Sequence, residues 1–539
     1  MRRARAAIVA VVVLGIALLA ALVLRAEPVP SFREQACGIP STHLQLIKRG
    51  YFPGRSAQVS ILPDYPAYLS SGRGGWTHSG PWRHLQHVPL VFYGPGVVTA
   101  GGEVDRPATL ADVAPTLAVL LKGTFRTEDG RTLPEVARFE ASLLRTDSPR
   151  LVVVVVWDGG GWNVLRQWPD AWPNLKRAMS GGVSYTDAIV GSSPSVTPSV
   201  HTTIGTGVFP WKHGITGINV RDENGDVVDA FYRGESSHLL EVPTLAERWD
   251  ELQENRALIG MIGYEPWHLG MIGQGAERPG GDKDHAAWLN VETNVWISNP
   301  DNYTLPESLA TTPGLEEGLR RLDARDGKVD DSWMDHQILN DRTRIEEVPA
   351  FIAYHGRGLR RMIAMEGYGD DEITDFLFTN FKQIDRVGHY FNMASEEVRQ
   401  SVVETDRQLG ELFDFLDDEV GREKWVTVIT ADHGQQPDAG EIDGYGIDPI
   451  ELDGDIEDEF GSVLQASWAT ELFLDPRELD RRDLEVADVA EFMGGYRLRD
   501  NVLTFAERFV GAGSFAAGDR LYDMAIPGEM VRSISCSPE

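Results

Sequence analysis

The stretch Leu151–Gly161, LVVVVVWDGGG, decides how this chain is read. Seven consecutive apolar residues, five of them valine, form a strand with both faces buried, because a strand exposed on one side would alternate with polar residues. Asp158 follows at the carboxyl end of that strand. Ligands of open parallel sheets bind at that edge, so a carboxylate there points into the working crevice. Taken alone, Asp158 is equally compatible with an ordinary strand-end aspartate. The three glycines permit close backbone approach, and no Gly-Lys-Ser/Thr follows, which excludes a P-loop.

Similar runs occur at VPLVFYG (88–94), ALIGMIG (257–263), DFLFTN (375–380) and WVTVIT (425–430). Helical spacing separates them, as in TLADVAPTLAVLLKG (109–123), where Leu110, Val113, Leu117, Leu120 and Leu121 share one side. This alternation predicts an α/β fold with a mostly parallel sheet sandwiched by helices.

Two further acid-histidine pairs follow strand-like runs. QIDRVGH (383–389) carries Asp385 and His389 one helical turn apart, and ADHG (431–434) carries Asp432 and His433. Carboxylate plus imidazole suits zinc. SSPSVTPSVHTTIGTG (192–207) is thick with hydroxyls and opens a helix. A hydroxyl at a helix N-terminus beside cations can attack phosphorus, although such runs commonly serve as caps and turns.

The chain has 539 residues, 14 tryptophans and a net charge of −32. That length implies several domains or one large sheet. The acidity, with no basic cluster in the body, excludes bulk nucleic-acid binding through phosphate contacts. At the N-terminus, Arg2, Arg3 and Arg5 precede an uncharged stretch from Ala6 to Leu24. It is long enough for a hydrocarbon core of about 30 Å and longer than the usual signal-peptide apolar region of about 7–15 residues. An uncleaved anchor is therefore favoured over a cleaved signal peptide, and both place the body outside the cytoplasm, anchored to the cell membrane or secreted. The only two cysteines, Cys37 and Cys536, lack metal-ligand spacing. In an exported chain they read as a disulfide, the alternative being two free thiols.

Taken together, these segments resemble the alkaline phosphatase superfamily, in particular its nucleotide pyrophosphatase/phosphodiesterase branch. PSVTPSVHTTIGTG matches that branch's nucleophile segment, and KHGITG (212–217) its His-Gly-Ile turn. The resemblance implies Thr197 as nucleophile. It also implies two metal sites holding two zinc ions, with other divalent cations as alternatives. Asp158, Thr197, Asp432 and His433 would ligate one, and Asp385, His389 and His78 the other. His78 comes from GWTHSGPWRHLQHVPLVFYGPGVV (75–98), which resembles the family's C-terminal portion, although Thr-His-Ser stands where the family has Thr-His-Gly. The flanking KRGYFPGRSAQVSILPDYPAYL and TLADVAPTLAVLLKG resemble the same portion, whereas ATELFLDPREL resembles what should precede it. The chain thus reads as circularly permuted, with Cys37 and Cys536 near the opened join. Asn219, in HGITGIN, is matched to a phosphoryl-contacting asparagine but lies one residue late. His84 and His87 read as packing or supporting histidines.

The expected organisation is a signal segment at 1–25, a linker at 26–40 and a permuted C-terminal-type part at 41–140. Catalytic core follows at 150–264, a cap or lid insertion at 265–350, core again at 351–450 and the remainder at 451–539. The expected activity is hydrolysis of a phosphoester small molecule, with diesters or nucleotide pyrophosphates preferred. A phosphomonoesterase is the alternative, and Lys283 or Arg233 are the cations it would want. A sulfatase is disfavoured by the lack of Cys or Arg in the nucleophile segment. A phosphoglycerol or phosphoethanolamine transferase is disfavoured by the single apolar segment, and an idle envelope protein by the intact ligand set.

Overall fold

A computed structural model describes residues 28–70, 76–136, 148–341, 343–501 and 515–536. The expected signal segment at 1–25 lies outside the described residues. Among those described, no helix is long and apolar enough to cross a membrane.

Nine strands build the main sheet: β1 (Leu90–Tyr93), β2 (Gly102–Thr109), β3 (Leu151–Trp157), β4 (Val183–Ile189), β5 (Ile259–Ile262), β6 (His285–Asn290), β7 (Val295–Ile297), β8 (Asp375–Phe381) and β9 (Trp425–Thr430). Their order is β7-β6-β5-β8-β3-β9-β1-β4-β2. Only β1 and β7 run against the rest, so the sheet is mostly parallel, as the alternating pattern requires. The valine run is its centre, and every residue of β3 is fully buried. Leu151, Val153, Val155 and Trp157 enter one core, while Val152, Val154 and Val156 enter the other. Helices Pro349–Glu366 and Glu396–Leu416 cover the first face; Val113–Leu120 and Thr197–Thr206 cover the second. An uninterrupted apolar run is the consequence of two covered faces.

A four-stranded antiparallel sheet packs beside this body. In it Val59–Pro63 pairs between Glu471–Leu474 and Tyr522–Pro527, so an early segment lies between two late ones. Within 265–350, β6 and β7 extend the edge of the main sheet, so that part of the expected cap is sheet. The expected linker is also partly ordered. Phe32–Gly38 is helical, with Ser31 and Glu34 forming a reciprocal N-terminal capping box, a signal that three prolines obscured.

Cys37 and Cys536 form a disulfide closing 499 residues, which points to an extracytoplasmic location. Backbone and side-chain contacts support it: Ala525 N–H donates to Gln35 Oε1 at 2.8 Å and the Arg33 guanidinium to Ser535 O at 3.3 Å. Replacing both cysteines by serine is expected to lower stability by about 2–4 kcal/mol, read as a lower denaturant midpoint with an unchanged fold by circular dichroism.

Candidate active site

Three neighbouring parallel strands end at one edge, because Phe381 pairs with Trp157 and Thr430 with Val156. Asp158 follows β3 directly, Asp432 follows β9 by one residue, and β8 leads into the helix Gln383–Phe391 that carries Asp385 and His389. β1 runs the other way, so the segment before it reaches the same edge and brings His78. β4 also ends there and leads to helix Thr197–Thr206, whose first residue is Thr197. Gly159, at φ +68°, permits the crowding: a Cβ there would lie 2.8 Å from the Asp385 Cβ.

The three histidines share one orientation. His78 Nδ1–H donates to Ser195 O, His389 Nδ1–H to Trp76 O and His433 Nδ1–H to Gly434 O. Each thereby turns Nε2 inward. His78 and His389 Nε2 stand 3.4 and 3.3 Å from Asp385 oxygens. His433 Nε2 stands 3.4 Å from Asp158 Oδ1 and 3.5 Å from Asp432 Oδ2. Asp385 Oδ1, Asp432 Oδ2 and His433 Nε2 are buried with no hydrogen-bond partner, and Asp385 Oδ2 has only the Lys382 ammonium, at 2.8 Å. Orphaned carboxylate and imidazole atoms converging with their outer nitrogens tied to backbone carbonyls are a donor set that fits divalent cations. Two groups bring ligand atoms within 4.8 Å of one another: His78, Asp385 and His433, and Asp158, His201 and Asp432.

Two of the most central side chains were not expected. Lys382, buried at the start of the Asp385 helix, donates to Asp158 Oδ1 (2.9 Å) and Thr197 Oγ1 (3.2 Å) and pairs with Asp385 Oδ2 at 2.8 Å. Burial opposes its charge, but Asp158, Asp385 and Asp432 outweigh that and raise its pKa. His201, four residues after Thr197 on the same helix, points Nε2 at Asp432 Oδ2, 3.4 Å away. Its i, i+4 spacing from Thr197 was the available signal. His433 is also held above its usual range, at about 9: burial works against it, and Asp432 and Asp158 overcome this. Burial and the stacked His433 ring, 3.5 Å between centroids, push His78 the other way.

A pocket of about 350 Å³ opens onto Thr197, His78, Asp385, His389, Lys382 and Arg386, with Trp267, Trp468, Leu69 and Ile218 as its apolar wall. The family described as Type I phosphodiesterase / nucleotide pyrophosphatase matches residues 152–488. The chain belongs to this family. Within the alkaline phosphatase superfamily it is a phosphoester hydrolase of the nucleotide pyrophosphatase-like branch. It is 23% identical over 432 residues to alkaline phosphatase PafA of Elizabethkingia meningoseptica, covering 70% of this chain and 77% of that protein. It is also 23% identical over 344 residues to a calcium-transporting ATPase of Myroides odoratus, covering 54% and 60%. The crystal structure of wild-type PafA superposes with a TM-score of 0.54 at 22% identity, over 64% of this chain and 75% of that one, and shares the fold.

The seven expected ligands, Thr197 included, gather at one site, and Asn219 follows Ile218 of the pocket wall. Its Oδ1 accepts from the Trp468 indole N–H at 3.1 Å. Lys283 is exposed and donates to Pro300 O; among the described residues, Lys382 and Arg386 line the pocket instead. His84 and His87 bond Gln436 and Thr186, outside the cluster.

Glu471 lines the same pocket, and burial pushes its carboxyl up to about 8. With the folded pKa above the unfolded 4.5, its contribution is fully present below pH 4.5 and is lost as pH rises through about 8. Glu471→Gln is therefore expected to be more stable than wild type by about 1–3 kcal/mol at pH 9 and unchanged at pH 4, measured by denaturant unfolding at both values.

Proposed function

We propose that the protein is an exported phosphomonoesterase in which Thr197 attacks phosphorus beside two zinc ions. The observation that carries this reading is the meeting of Thr197 Oγ1, Lys382 Nζ and three inward Nε2 atoms on three buried carboxylates. Asp158, Thr197, Asp432 and His433 would hold one ion, and Asp385, His389 and His78 the other. Nitrogen and oxygen donors without thiolate suit zinc. Bound zinc supplies Lewis-acid charge for the phosphoryl and leaving oxygens.

The chain's own groups do the rest. The Thr197 Oγ–P bond forms as the ester P–O bond breaks, in line; the hydroxyl proton passes by way of Asp158 Oδ2, 3.4 Å away, to solvent, and the departing oxygen takes up a proton from solvent and leaves as the alcohol. Lys382, 3.2 Å from Oγ1, and the helix N-terminus favour the alkoxide. Water then cleaves the phosphothreonine and restores Thr197.

Charge supports the monoester. Three carboxylates against two divalent cations leave one positive charge, and Lys382 raises it to two, matching a phosphoryl dianion. The sequence-based preference for diesters keeps one support, the Trp267 and Trp468 wall, which offers a second ester group an apolar seat. Zinc-free and zinc-restored protein should be compared on p-nitrophenyl phosphate and bis(p-nitrophenyl) phosphate. Zinc-dependent turnover favouring the monoester is expected; faster diester turnover would move the assignment to the diester, and turnover of neither would sink both.

We further propose that the order of segments is circularly permuted relative to the family. The match begins at residue 152, yet earlier residues supply β1, β2 and His78, and the disulfide ties the two ends. A chain beginning near Leu151, with residues 536 and 37 joined by a short linker, should keep its zinc-dependent turnover.

A further inference from the structure

A second cluster of acids shares no residue with the active site. Asp250 sits in the last turn of helix Leu245–Leu252, and Asp282 and Asp284 lie in the segment entering β6. One carboxylate oxygen from each lies within 4.8 Å of the others. Asp250 and Asp284 are only 7% and 8% exposed, whereas Asp282 opens to solvent. Asp250 Oδ1 is buried without a hydrogen-bond partner, and among the described residues no donor or cation reaches the Asp284 carboxylate. Arg278, on the same cavity wall, is committed to Glu247 at 2.7 Å and Glu251 at 3.3 Å.

The geometry around these acids is that of a cradle. A cavity of about 280 Å³ opens between them. At Gly275, φ +51°, a Cβ would stand 2.8 Å from Asp284 Oδ2 and 3.2 Å from the Asp282 backbone oxygen. Carboxylate and carbonyl therefore close on one point that only a glycine leaves clear. Burying two carboxylates without a counter-charge is costly, and a cation removes that cost. Every available donor is oxygen, with no imidazole or thiolate, which selects a hard ion over zinc. Side-chain and carbonyl oxygens from a helix end and a loop suit the larger, more irregular shell of calcium better than magnesium's strict octahedron.

We propose that Asp250, Asp282 and Asp284 bind a calcium ion that pins the segment entering β6 to helix Leu245–Leu252. The ion would enter past Asp282.

Full-length protein, zinc-loaded and freed of calcium, should be titrated with calcium chloride by calorimetry, with thermal unfolding followed in parallel. One calcium per chain is expected, with Kd between about 10 µM and 1 mM, and a midpoint a few degrees higher at saturation. Asp284→Asn should weaken binding at least tenfold and leave the zinc content unchanged, which separates this ion from any at the active site. If that variant does not fold, the exposed Asp282→Asn should show the same loss. Absence of heat and thermal shift at about 10 mM calcium, wild-type affinity in the folded variants, or tighter binding of magnesium than calcium would overturn the proposal.

Discussion

Thr197→Ala is expected to lower kcat/KM for p-nitrophenyl phosphate by about 10⁴-fold or more, since loss of a covalent nucleophile removes both chemical steps at once. Thr197 is buried at the first position of its helix, and its neighbours Pro198 and Val200 pack independently of the hydroxyl. The variant should therefore fold normally, with an unfolding midpoint close to wild type. Steady-state hydrolysis beside thermal unfolding checks both halves. Turnover within tenfold of wild type would assign the attack to another group, such as a water molecule.

Lys382→Ala should move two quantities in opposite directions. The ammonium contacts two of the three carboxylates and Thr197 Oγ1. A bound cation must share those carboxylates with it, and removing a like charge a few ångströms away should tighten zinc binding about 10- to 100-fold. Loss of a donor to the alkoxide, and of positive charge facing the phosphoryl group, should lower kcat/KM for the monoester about 10²- to 10³-fold. The diester, with one charge fewer, should lose less. Competition with a zinc chelator reads the first effect and paired ester kinetics the second. Weaker zinc binding in the variant would contradict the arrangement described for this lysine.

Much of this was legible in the sequence because the decisive elements carry their reason locally. LVVVVVW needs no alternation once both faces are covered, and Asp158, Asp385 and Asp432 each follow such a strand, so parallel pairing brings them to one edge. Cys37 and Cys536 were legible because the chain has no other cysteines. Lys382 was not, since a lysine opening an amphipathic helix reads as a solvated charge. Its burial is fixed by carboxylates 224 residues before it and three after it. His201 is not legible in this way, because an uninterrupted Ser/Thr helix offers several polar positions and only packing shows which one faces Asp432. Strand β6, HAAWLN, lies in a Gly- and Asp-rich region whose weak periodicity suggested a lid. Its pairing with β5 places it in the sheet. Asn219 is matched by motif alone, and its Oδ1 accepts from the indole of Trp468, a residue of the pocket wall 249 residues later.

The most direct test of the account is rapid acid quench of zinc-loaded protein during turnover of a ³²P-labelled phosphomonoester, with the label located by peptide mass spectrometry. A phosphoryl group is expected on Thr197, formed before steady state and absent from Thr197→Ala. Zinc-dependent turnover with no label on the protein at any time, and with the variant still active, would contradict it.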